Sequence, residues 1–106
     1  MSTLGTNIGK TLRELSELYV TLPDGAQKKE VYDQILKISD MIDKLVDEAL
    51  PTRIKEYKDA TKALEKATED IEKAKADIAK VAKAVDSAAK AISAIAKLLA
   101  VLGMGA

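Results

Sequence analysis

Apolar residues recur at spacings of three and four along nearly the whole chain, and a few Gly and Pro positions divide that pattern into three helical segments. In the first, Leu4, Ile8, Leu12, Leu15, Leu18, Tyr19 and Leu22 share one face, with Lys10, Arg13, Glu14 and Glu17 opposite. The spacing predicts an amphipathic helix over about residues 4–20, weakened near its start by Gly9. Leu22-Pro23-Asp24-Gly25 then reads as a turn, and Asp24 with Gln27 three residues on has the form of a capping box opening a second helix. Within that helix, predicted over about residues 25–49, Val31, Ile35, Ile38, Ile42, Leu45 and Ala49 alternate at spacings of four and three, a heptad seam. Pro51 cannot donate to the preceding turn and disfavours helical angles at Leu50, so the second helix ends there and a third begins, with Pro in its first turn.

No Gly or Pro occurs between Pro51 and Gly103, so the third helix is predicted to run over about residues 52–102, leaving a tail of residues 103–106. A straight helix of that length would span roughly 75 Å. One heptad line holds Tyr57, Leu64, Ile71, Ile78, Val85, Ile92 and Leu99, and the line three residues later holds Ala60, Ala67, Ala74, Val81, Ala88, Ile95 and Leu102. Large residues facing small ones let backbones approach closely, which favours antiparallel packing. The fold class expected is all-α: an elongated antiparallel helical hairpin or a three-helix bundle, one domain over residues 1–106, with one long C-terminal helix and coiled-coil-like packing.

Along the third helix the flanking positions change character. Thr61, Thr68 and Lys75 give way to Ala82, Ala89 and Ala96, while Asp70 and Asp77 give way to Ala84, Ala91 and Leu98. So wide an apolar face must touch more than one neighbour, whether the first helix, a second subunit or a lipid surface. The residues expected to form an interface are therefore Val85, Ile92, Ile95, Leu98, Leu99 and Leu102, in a homo-oligomer with a dimer favoured.

Composition narrows the chemistry. With no His and no Cys, the chain lacks the commonest general base, the commonest metal ligand and the thiolate nucleophile, and no catalytic, cofactor-binding or metal-ligating residue is assigned. Asp40, Asp43, Asp47 and Glu48 cluster on the second helix, but a helix face provides no wrapping loop for a cation. Gly9-Lys10-Thr11 ends a glycine-containing segment in the manner of a phosphate loop, without the required spacing or a preceding strand. Basic and acidic residues balance at 17 each, which gives no global attraction to nucleic acid. That balance is an average: residues 23–50 carry a net −3 and residues 82–106 a net +2.

Lys66, Lys73 and Lys80 form one line interleaved with acids, and Lys83, Lys90 and Lys97 a second, less diluted one. The reading that follows is a non-enzymatic helical interaction and oligomerisation protein that acts through helix packing and presents helix surfaces to a protein partner. The alternative is a membrane-active protein, pore-forming or membrane-remodelling, whose Ala-rich C-terminal segment from about Ala82 works at a membrane surface. Neither a signal peptide nor a span of about 20 apolar residues is visible, so a cytoplasmic location is expected, with peripheral membrane attachment under the second reading.

Overall fold

The computed structural model describes residues 3–45 and 54–103, which form four α-helices and one short 3-10 turn: α1 (Leu4–Thr21), α2 (Ala26–Leu45), α3 (Lys55–Ala76) and α4 (Val81–Val101), with the 3-10 turn at Ile78–Lys80. The predicted end of the second helix at Ala49 and the Pro51 break lie outside the described residues. α1 begins where Thr3 accepts the Thr6 N–H with its hydroxyl at 3.1 Å. At the start of α2 the cap sits one residue later than the sequence suggests. The Gly25 carbonyl accepts the Lys29 N–H at 3.2 Å, and Asp24 pairs with Lys28 at 3.8 Å instead of forming the capping box. Gly25 adopts φ 154°, a value that a side chain would oppose.

The largest departure from expectation is the third helix, which is two helices and not one. It breaks at Asp77, whose backbone is extended (φ −146°, ψ 104°) and whose carboxylate accepts the Ala79 N–H at 3.1 Å. The Asp77 N–H closes α3 by donating to Lys73 O at 3.0 Å, and Asp77 O receives the Lys80 N–H at 2.9 Å. α4 therefore runs back along α3, and the long dimension of the molecule is 38 Å in place of the roughly 75 Å of a straight helix. The elongated hairpin and the three-helix alternative both give way to a compact four-helix bundle. The physical reason is burial: a lone straight helix covers one narrow stripe, whereas folding it in half lets two Ala-rich faces cover each other. Ala60, Ala67, Ala74, Ala84, Ala88 and Ala91 are all buried.

Antiparallel packing, expected from the alternation of large residues with Ala, is thus realised between the two halves of that one segment. Asp70 on α3 and Ser87 on α4 meet through a side-chain hydrogen bond, which requires the two axes to lie close, since both side chains are short. α1 runs parallel to α3: Tyr57 accepts the Leu4 N–H at 2.9 Å with its phenol oxygen, Thr11 meets Thr68 at 2.8 Å, and Glu14 and Glu17 meet Lys75. α2 folds back on α1 and packs on α4, where Gln34 donates to Val85 O at 2.8 Å. Among the described residues the diagonal pairs, α1 with α4 and α2 with α3, make no close backbone approach. The core lies between the four helices, with Leu15, Leu18, Ile38, Leu64, Ile71 and Ile95 fully enclosed. α4 ends at Val101 with Leu102 as its C-cap, and Gly103 follows with a φ of 73° that suits a helix C-terminus. No described helix is long and apolar enough to cross a membrane.

Candidate interaction surface

The six residues expected at an interface are brought together by the fold, but inside the chain. Ile95, Leu98 and Leu99 are buried, and Val85, Ile92 and Leu102 are half-buried against the same core. The widened apolar face of α4 does touch two neighbours, and they are α3 and α2. Its two flanks separate: Ala84, Ala91 and Leu98 are buried, while Ala82, Ala89 and Ala96 face solvent beside Lys83, Lys90 and Lys97.

Polar residues that periodicity alone does not pick out enter the core. Thr11, Thr68, Asp70, Ser87, Glu14 and Gln34 are all buried. Asp70 is 2% exposed and is held between the Ser87 hydroxyl, which donates to it, and the Lys66 ammonium at 3.2 Å. Burial alone would raise its pKa, but the hydrogen bonds from Ser87 and Lys66, with the charges of Lys66 and Lys83, outweigh that and hold it below the ordinary carboxylate value. A signal for this burial exists in the sequence, because Asp70 stands on the same heptad line as Ala84, Ala91 and Leu98. Gln34 uses its amide N–H on Val85 O, and its buried carbonyl oxygen has no partner among the described residues.

Lys75 bridges α3 to α1 by bonding Glu14 and, at 2.6 Å, Glu17. Those bonds, the one to Glu14 foremost, hold the Lys75 ammonium protonated above its usual range, and the bond from Lys75 lowers the pKa of Glu17. The raised lysine contributes stability that is lost as pH climbs past the ordinary value of 10.5, and the lowered glutamate contributes stability lost as pH falls below 4.5.

Part of the surface charge is paired along the helices. Lys66, Lys73 and Lys90 of the two lysine lines face Asp70, Glu69 and Asp86 one turn away. A cleft of about 250 Å³ between α3 and α4 is lined by Glu56, Asp59, Lys90, Ser93, Ala94 and Lys97, and a smaller one of about 140 Å³ by Asp70, Lys73, Lys80 and Lys83. Each mixes acid with base. Among the described residues no group of three potential metal ligands comes together, and Asp47 and Glu48 of the acidic cluster lie outside them.

Compared with protein-family models, curated proteins and solved structures, the chain matches none.

The outer face of the α1–α2 pair has a different character. Tyr32 and Leu36, one turn apart on α2, are 47% and 51% exposed. Tyr32 lies against Tyr19 of α1 with ring centroids 5.7 Å apart, and the Lys28 ammonium sits 4.8 Å from the centre of the Tyr19 ring. On α1, Gly5, Leu12 and Tyr19 are spaced by seven and share that side, with Gly9 and Ser16 on the adjoining line. A Cβ built on Gly5 or Gly9 would meet nothing within 4 Å, and neither residue needs a positive φ. Nothing among the described residues calls for them, while a glycine within a helix costs roughly 0.5–1 kcal/mol relative to alanine. Gly9→Ala is accordingly expected to stabilise the protein by about 0.5–1 kcal/mol, read as a higher urea midpoint with unchanged slope. A lower midpoint would show that the Gly9 backbone does need its freedom.

Proposed function

We propose that the protein is a non-enzymatic helix-packing module that self-associates, with a second copy docking against the outer face of α1 and α2. The observation that carries this reading is the pairing of Tyr32 and Leu36, exposed on α2, with an α1 surface that contains Gly5 and Gly9 and that none of the described residues covers at those glycines. Small residues beside exposed large ones let another helix approach closely and bury the large ones. The absence of His and Cys from the sequence supports a binding role over catalysis. The membrane-surface alternative is drawn from the Ala-rich, Lys-lined end of α4 at residues 98–102; there Leu98 and Leu99 are turned into the core, which favours the packing reading, while Val101 is 56% exposed.

Sedimentation velocity tests the proposal. The wild type is expected to show a weight-average mass rising with concentration and re-equilibrating promptly on dilution. The double variant Tyr32→Asp, Leu36→Asp, which alters two solvent-exposed positions, should keep its helicity and lose that rise. Equal self-association by both proteins would overturn the assignment of this face, and a wild type that stays at monomer mass throughout would overturn self-association through it.

A further inference from the structure

We infer that the turn at Asp77 is a hinge, and that α3 and α4 can straighten into one continuous helix whose α4 half packs on the α3 of a second copy. This rests on the hinge and its register, independently of the α1–α2 face.

The first observation is what the hinge is made of. Ala76-Asp77-Ile78-Ala79-Lys80 contains neither Gly nor Pro, and Ala and Lys are among the strongest helix formers. The reversal is held locally by the Asp77 carboxylate on the Ala79 N–H at 3.1 Å and by the short Lys80 N–H to Asp77 O bond. The second is Ile78, which stands on the heptad line running from Tyr57 to Leu99 yet is 58% exposed at the turn. Tyr57, Leu64 and Ile71 on that line are buried, so the apolar pattern continues through a place where the folded monomer has no use for it.

The third observation is phase. Two heptad lines are buried on both helices: Ala67 and Ala74 continue as Val81 and Ala88, and Asp70 continues, past exposed Asp77, as Ala84 and Ala91, while the line of Tyr57, Leu64 and Ile71, buried on α3, is half-buried at Val85 and Ile92. Straightening the hinge therefore leaves both halves facing one side, where an independent pair of helices would have no reason to stay in register. Every contact between α3 and α4 can then be remade between chains, as in an exchange of identical elements. The offset that sets Asp70 against Ser87 in the monomer sets Asp77 of one chain level with Lys80 of the other, and by symmetry twice, so the centre of the paired helices is charge-complementary. Ile95, Leu98 and Leu99 become contacts between chains in that state.

Two variants separate the states. Ile78→Pro suits the turn, because Ile78 is the first residue of the 3-10 helix and Asp77 before it is already extended, but it blocks a continuous helix. Asp77→Glu keeps the negative charge while replacing a good helix cap by a poor one and a better helix former. Each protein is refolded from denaturant at about 1 mM, diluted, and measured by light scattering and small-angle X-ray scattering. The expected result is a slowly dissociating dimer of the wild type with a longest dimension of roughly 70 Å, the length of the straightened helix. Asp77→Glu should raise the dimer-to-monomer constant about tenfold, since a cap is lost from each of two chains, and Ile78→Pro should remain monomeric with wild-type helicity. The Tyr32→Asp, Leu36→Asp protein should form this dimer as the wild type does, which distinguishes it from docking on the α1–α2 face. An equal dimer yield from Ile78→Pro, a dimer no longer than the monomer, or monomers throughout for both wild type and Asp77→Glu would overturn the inference.

Discussion

Leu99→Asp is expected to abolish the folded state at neutral pH. Leu99 is 4% exposed in the core that α4 shares with its neighbours, so the variant loses the burial of a large aliphatic side chain and must place a carboxylate among apolar groups. The first loss amounts to about 2 kcal/mol, and an unpaired buried charge adds several more. Together they rival the roughly 5–15 kcal/mol that stabilises an ordinary domain. Far-ultraviolet circular dichroism with a urea titration checks this: a helical variant with a cooperative transition near that of the wild type would show that Leu99 is not enclosed. Ile92→Asp makes the instructive comparison. Ile92 is half-buried, its carboxylate could reach water, and the variant is expected to remain folded with a lowered midpoint.

Ser87→Ala is expected to cost about 2 kcal/mol at neutral pH, because the Asp70 carboxylate stays buried after losing its hydroxyl donor, and hydrogen bonds to charged groups carry about that weight. Its pH dependence gives the sharper test. Asp70 has a folded-state pKa below its ordinary 3.8, so its stabilisation is complete above that value and is lost as pH falls through the folded value. Ser87→Ala should reduce this lowering. The stability gap between wild type and variant should therefore be flat from pH 7 to about 5 and narrow steadily below about 4. A gap that persists unchanged down to pH 2 would mean that Ser87 acts through packing and not through the charge on Asp70.

Much of the secondary structure was legible in the chain, and the residues show why the remainder was not. α1 spans Leu4–Thr21 against the predicted 4–20, and α2 starts at Ala26 against 25, since an apolar stripe bounded by Pro and Gly marks a helix plainly. The break at Asp77 carries no such marker. Its one local signal is an Asp able to cap, and the heptad lines passing through Ile78 argue for continuity. A helix of some 50 residues folds back because of what its faces can cover in three dimensions, which periodicity does not encode. Of the residues expected at an interface, Ile95, Leu98 and Leu99 are buried within the chain, and Val85, Ile92 and Leu102 are half-buried. What the pattern could not say was that α3 and α2 of the same chain cover them. The line of Thr61, Thr68 and Lys75 makes the same point: on α3 it meets α1, and its continuation Ala82, Ala89 and Ala96 on α4 meets solvent. The exposed face of α1 and α2 was missed because Gly9 reads in sequence only as a weak spot in a helix.

The close approach of α3 and α4 also bears on which positions tolerate variation. Where two backbones lie near enough for Ser and Asp to bridge them, enlarging buried Ala67, Ala74, Ala84, Ala88 or Ala91 is expected to cost about 1–3 kcal/mol in displaced neighbours. Leu, Ile and Val elsewhere in the core can exchange with one another more freely. The most restrictive record of this fold is therefore written in its smallest side chains. A divergent descendant could replace most of the large core residues and every surface charge, and would still be expected to keep a spaced series of alanine, glycine or serine on either side of an abrupt reversal.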